Sequence, residues 1–302
     1  MRLNVGGPGS RARPAEIDVL ADSSGAVCCS LVAWSYPEAP LAQLELRNAR
    51  GERVASHAFT VDGNADALVR RPTLAYQSDA GFFVVAYETR RDIRVRQIQI
   101  NRTASGSGSF RRIGPDLIVA TKTQAARYED LVDGHPHIAY SPELRQFLVT
   151  WLDHTTSTGE TRRVMARALT RDGAPSGASF VVQTSCALGN WTCLLMRPTA
   201  DGAPQVFAMP GGFQVSFAAM PWNQPGRFWG ILGFRLTAAS GGFNLSSRWL
   251  PDTLKDTRIS ALRTTYDARS GIAAAAWLAT SRDAAGGLVF EETALKFSDF
   301  LP

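Results

Sequence analysis

The stretch Arg127-Tyr-Glu-Asp-Leu-Val-Asp-Gly-His-Pro-His137 gathers residue types that move protons. Glu129, Asp130 and Asp133 stand beside His135 and His137, two of the chain's four histidines, with Tyr128 next to them. An imidazole titrating near neutrality can exchange a proton with a substrate, and a neighbouring carboxylate can orient it. The same cluster can equally be a solvated acidic loop or take a hard cation. If the chain is an enzyme, Tyr128, His135 and His137 are its catalytic candidates.

A second set is spread along the chain. Arg13, Arg71, His135, Arg197 and Arg258 each precede a strand-like segment, and the first four are followed by proline. If those segments line one channel, the five groups ring its mouth with positive potential suited to a carboxylate, sulfate or phosphate. The alternative is that they hydrogen-bond to nearby carbonyls and hold their own loops. Trp191, Trp222, Trp229 and Trp249 offer flat apolar faces on which a sugar ring can stack, or pack into a core.

These residues need a scaffold, and a repeat supplies it. Arg71-Pro-Thr-Leu-Ala-Tyr-Gln-Ser-Asp-Ala-Gly-Phe-Phe-Val-Val-Ala-Tyr87 and His135-Pro-His-Ile-Ala-Tyr-Ser-Pro-Glu-Leu-Arg-Gln-Phe-Leu-Val-Thr-Trp151 each read as strand, turn, strand. The second strand recurs five times as an apolar run ending in Trp34, Tyr87, Trp151, Phe217 or Trp277. That period of about sixty residues suits a four-stranded propeller blade and is too long for a solenoid. A third strand with polar and apolar residues alternating follows, as in Ile93–Ile100, then a glycine turn such as Arg171-Asp-Gly173 and a fourth strand at Ala58–Val61, Ser179–Val182 and Phe243–Leu245. In the last unit strands are expected near Ile259–Thr265, Ile272–Trp277 and Leu288–Phe297. Arg2-Leu-Asn-Val5 has the fourth-strand pattern and is expected to complete that unit. The reading is one all-β, five-bladed β-propeller, with blades at 7–62, 63–120, 121–184, 185–250 and 251–302 plus strand 2–5.

Leu3-Asn-Val5, Arg71-Pro-Thr-Leu-Ala75, Gly81-Phe-Phe-Val-Val-Ala-Tyr87 and Thr170-Arg-Asp-Gly-Ala-Pro175 resemble the repeat of bacterial extracellular β-propeller proteins. The resemblance spans nearly the whole chain, with the unit at Arg197–Leu250 fitting loosely. It implies the propeller and a secreted or periplasmic setting, and no activity, because function in this architecture lives in loops.

Composition narrows the partners. The formal charge is +5, but its arginines are scattered rather than massed in blocks, so nucleic acid is not expected. No segment is apolar over the length a membrane helix needs. The Met1–Gly7 start lacks an apolar signal core, which leaves a cytoplasmic setting open. Cys28 and Cys29 are adjacent, while Cys186 and Cys193 bracket a short loop that a disulfide can clip. No zinc-ligand spacing or nucleotide fingerprint is present, so neither metal nor cofactor is expected. Asp18, Asp22, Asp79, Glu143 and Asp201 do not assemble into a glycosidase pair, since most lie by the turn after the first strand. The expectation is a monomer that recognises a carbohydrate or small anionic ligand at the channel mouth. The rivals are a polysaccharide lyase or glycoside hydrolase-like enzyme on an anionic substrate, and a protein-interaction scaffold.

Overall fold

A computed structural model describes residues 16–21, 27–36, 40–62, 68–102, 108–121, 134–154, 162–183, 203–219, 228–249, 254–255, 257–267, 272–282 and 288–296. The described residues form strands and turns only, in five consecutive antiparallel sheets.

The first sheet holds β1 (Glu16–Ala21), β2 (Val27–Ser35), β3 (Ala42–Asn48) and β4 (Arg53–Phe59). The second holds β5 (Arg70–Gln77), β6 (Phe82–Glu88), β7 (Asp92–Arg102) and β8 (Gly108–Thr121). The third holds β9 (His137–Ser141), β10 (Gln146–His154), β11 (Arg162–Leu169) and β12 (Pro175–Gln183). The fourth holds β13 (Gln205–Met209), β14 (Gly212–Ala219), β15 (Phe228–Ala239) and β16 (Gly242–Trp249), with β17 (Leu254–Lys255) pairing β15. The fifth shows β18 (Thr257–Asp267), β19 (Ile272–Arg282) and β20 (Leu288–Lys296). Strands pair in chain order within each sheet, and the first strands of successive sheets lie against one another. The strand expected at Arg2–Val5 lies outside the described residues.

Second strands are continuous apolar runs because both their faces are covered. All seven residues of β6 are buried. Phe83, Val85 and Tyr87 pack into a core shared with the first sheet, while Phe82, Val84 and Ala86 pack into a core shared with the third. Leu148 and Leu152 of β10 likewise face the fourth sheet. Burying one such side chain stabilises the fold by about 1.5–3 kcal/mol.

The turn from first to second strand needs a left-handed residue. Gly81 and Gly211 supply it at φ 71 and 72°, and Arg145 adopts it at 52° in the third sheet. The fourth strand of the first sheet begins earlier than expected, at Arg53 rather than Ala58, and ends at Phe59.

One irregularity locks the first two sheets together. Opposite Arg96 of β7, the register jumps so that Gly114-Pro115-Asp116 bulge out of β8, with Gly114 at φ 69°. The bulge presents Asp116 to the Arg96 guanidinium, which donates from Nε at 2.5 Å and from Nη2 at 2.6 Å. Tyr87 Oη donates to the same carboxylate at 2.6 Å, and burial, followed by that bond and the Asp116 charge, pushes its phenol pKa up. Asp62 joins by reciprocal bonds, Asp62 N–H to Asp116 Oδ2 at 3.1 Å and Asp116 N–H to Asp62 Oδ2 at 3.0 Å, and pairs with Arg112. Arg96 also stacks over Phe59, 4.4 Å from the ring centroid.

Candidate functional site

At one end of the sheets, where the first strands begin, Arg71 and His135 meet. Both have left-handed backbones, φ 50 and 45°, and both precede proline, whose ring disfavours helical conformations in the residue before it. The strain is held by hydrogen bonds from the preceding sheet. Arg71 N–H donates to Ser35 Oγ at 3.2 Å, and Ser35 follows the β2 aromatic Trp34. Gly134 N–H donates to Glu88 Oε2, and Glu88 follows the β6 aromatic Tyr87. Leu152 N–H donates to Gly134 O at 2.6 Å and pins the same loop from its own sheet.

The Arg71 guanidinium lies between the His135 ring, within hydrogen-bonding distance of both nitrogens, and Glu88, whose Oε1 is 3.3 Å from Arg71 Nε. The Glu88 side chain is 0% exposed and that of Arg71 16%, with His135 buried at 7%. A buried carboxylate, an arginine and an imidazole thus form one contiguous cluster between the second and third sheets.

Of the five groups expected to ring a channel mouth, the pairing register describes Arg71, His135 and Arg258. Taking the residue before each second-strand aromatic as reference, its partners are Thr73, His137 and Gln205 in the second, third and fourth sheets. Two residues earlier stand Arg71, His135 and Ala203. The fifth sheet repeats the second's bulge, Ser260 to Arg263 matching Arg70 to Thr73, which puts Ala261 at this position. Pro204 immediately precedes the fourth sheet's first strand. Arg258 instead sits further upstream in β18, opposite Thr280. Arg13, Arg197 and Tyr128 lie outside the described residues.

His137 is not part of the Arg71 cluster. Its Nδ1 accepts the Val206 N–H at 3.2 Å and ties β9 to β13. Burial, with the Arg263 cation adding to it, pushes its pKa down to about 3. The ring is only half-buried by solvent exposure, yet closely surrounded by protein.

The acids behave as loop ties at the other end of the sheets. Asp79 accepts from Tyr140 Oη at 3.1 Å, with burial first and this bond second raising the phenol to about 12. Glu143 accepts the Gly211 N–H at 2.8 Å. Asp18 sits in β1 opposite Leu31, while Asp22 and Asp201 lie outside the described residues. Trp229 and Trp249 are strand residues paired with Leu254 and Leu232, and Trp191 and Trp222 lie outside the described residues. Cys29 is buried in the core of the first two sheets, and Cys186 and Cys193 lie outside the described residues. Among the described residues no group of three metal-ligating side chains occurs, and no helix is long and apolar enough to cross a membrane.

Sequence reasoning missed Glu88. Its signal was position: it follows the aromatic that ends each second strand, where Ser35 does the equivalent work one sheet earlier.

No family model and no curated protein matches the chain. Solved structures do. A levansucrase variant from Bacillus subtilis superposes with a TM-score of 0.51 at 11% identity, over 94% of this chain and 83% of that one. Bacillus subtilis levansucrase in complex with oligosaccharides gives 0.50 at 10% identity, over 93% and 83%. A GH43 endo-arabinanase from Bacillus licheniformis gives 0.45 at 12% identity, over 91% of each chain. The chain is similar in fold to levansucrase. At these identities the likeness is one of architecture.

Proposed function

We propose that the five sheets close into a five-bladed β-propeller, with Arg2–Val5 completing the fifth, and that the protein acts on an anionic carbohydrate where the first strands begin. The observation that carries the reading is the Arg71–His135 contact backed by Glu88. The fold shared with an oligosaccharide-binding levansucrase supports a carbohydrate substrate, and a polymeric one fits a secreted or periplasmic protein.

The chemistry follows from the residue types. A substrate carboxylate competes for Arg71, which neutralises it through charge-assisted hydrogen bonds. Glu88 keeps the guanidinium in place, and the His135 lone pair is released to act as base. His135 takes the proton from the carbon beside the carboxylate as Arg71 stabilises the charge that develops there. The freed electron pair forms a C=C bond and the neighbouring glycosidic C–O bond breaks. The departing oxygen needs a proton, for which Tyr128 is the candidate.

Incubation with polygalacturonate and alginate tests this, reading the ultraviolet absorbance of the unsaturated product. Product should accumulate, and His135→Ala should slow it about 10²–10⁴-fold. Absence of product from every acidic polysaccharide overturns the lyase. The second reading, favoured by how little of His135 is exposed, is a binding module. Calorimetric binding of trigalacturonate that Arg71→Gln abolishes, without turnover, selects it.

A further inference from the structure

Two residues beyond the level of Arg71 and His135, the register defines a second level. Glu16 lies opposite Ala33, Thr73 opposite Ala86, His137 opposite Thr150, Gln205 opposite Ser216 and Arg263 opposite Ala276. All five are polar. The residue after each is apolar in four of the sheets, Ile17, Leu74, Ile138 and Val206.

Three of these residues lean toward the next sheet's first strand. His137 reaches the Val206 backbone of β13. Phe207, on the same side of β13 as Gln205, stacks on Tyr266 of β18 with centroids 6.3 Å apart. Ala75, on the same side of β5 as Thr73, packs in the core that includes Ile138 of β9.

Two of the groups have unspent polar atoms. Thr73 is 5% exposed and Gln205 4%, and among the described residues neither Thr73 Oγ1 nor Gln205 Oε1 has a hydrogen-bond partner. Buried polar atoms are normally satisfied, so two orphans at one level, in different sheets, mark places that a ligand fills. Arg263, by contrast, is exposed, which opens the level to solvent beside the fifth sheet. Because His137 Nδ1 accepts from Val206, its proton sits on Nε2, a donor. An acceptor, a hydroxyl, a neutral N–H donor and a guanidinium complement a ring bearing several hydroxyls and one carboxylate.

We propose that Thr73, His137, Gln205 and Arg263 form a binding tier for one sugar-acid unit, its hydroxyls on the first three and its carboxylate on Arg263. This rests on the reading of an acidic carbohydrate as substrate. It adds a subsite beyond the Arg71–His135 cluster.

Thr73→Val and Gln205→Leu, singly and together, test the tier by two measurements on the full chain. These near-isosteres remove orphaned polar atoms, so the ligand-free double variant should melt at or above the parent temperature. Its calorimetric affinity for trigalacturonate should fall about a hundredfold, about tenfold for each lost partner. A lower melting temperature, or failure to fold, overturns the tier, because the polar atoms would then be structural. If trigalacturonate binds the parent and the double variant equally while Arg71→Gln weakens binding, the tier falls and the acidic-substrate reading stands. If galactotriose binds in place of trigalacturonate and the double variant loses it, the tier stands and the acidic reading falls. Binding of neither sugar overturns the tier.

Discussion

Arg71 and His135 occupy the same register position in neighbouring sheets, share a left-handed backbone before proline, and touch each other through their side chains. A repeat thus brings two unlike residues, 64 positions apart, into one site. Glu88 is the buried charge behind them, and its dependence on Arg71 is testable.

Arg71→Met removes a cation beside a fully buried carboxylate. We expect a loss of about 3 kcal/mol or more in urea unfolding, because an uncompensated buried charge costs more than the pair contributes. Adding Glu88→Leu should restore much of that stability. If the double variant is as unstable as the single one, the ion pair is not what Arg71 supplies.

Asp116→Ala should cost about 3–5 kcal/mol, since it strands Arg96, which is 4% exposed, and the Tyr87 hydroxyl. Urea unfolding of this variant beside Ile118→Ala, at an exposed position in the same strand, separates the network from the strand's general contribution.

Asp62 makes the same junction acid-sensitive. Burial favours its neutral form, but bonds from Arg112 and from the Asp116 N–H outweigh that and hold the carboxyl below 3.8. A depressed carboxyl stabilises the fold above its unfolded value, and that contribution disappears as pH falls below about 3.8. Melting temperatures from pH 6 down to about pH 2.5 should therefore fall less steeply for Asp62→Asn than for the parent.

His137 acts over a higher window. Its pKa drops from 6.5 to about 3 on folding, so the unfolded chain takes up a proton that the folded chain refuses. Stability is full above pH 6.5 and declines as pH falls toward 3, by less than the limiting ~1.4 kcal/mol per unit because the ring is half-buried. Denaturation midpoints of His137→Gln across this window should lose that slope. An unchanged slope would place the proton uptake elsewhere.

Gly212→Ala should destabilise the fourth sheet by about 1–3 kcal/mol, because a Cβ there overlaps the Leu236 carbonyl oxygen of the paired strand. Gly242→Ala, where a Cβ meets nothing within 4 Å, is the matched control. Equal melting temperatures for the two variants would refute the clash.

The repeating strands were legible because burial on a strand has its own period. The runs ending in Trp34, Tyr87, Trp151, Phe217 and Trp277 all lie in second strands. The last strand of the second sheet is not legible in the sequence, because Gly114 and Pro115 interrupt its pattern. That interruption is the bulge that aims Asp116 at Arg96, so the least strand-like residues of β8 do its most specific work. In the fourth sheet pairing begins at Gln205, and Arg197 lies outside the described residues.

By itself the sequence determined the all-β class and the unit of about sixty residues, since both follow from local alternation, turn chemistry and self-similarity. Only the tertiary structure decided that Arg71 and His135 contact one another, that Glu88 stands behind them, and that Thr73, His137, Gln205 and Arg263 share a level. Those relations depend on strand register and on which sheet packs against which. A shift of one residue reverses the side a residue faces, and no local pattern in the chain encodes that choice.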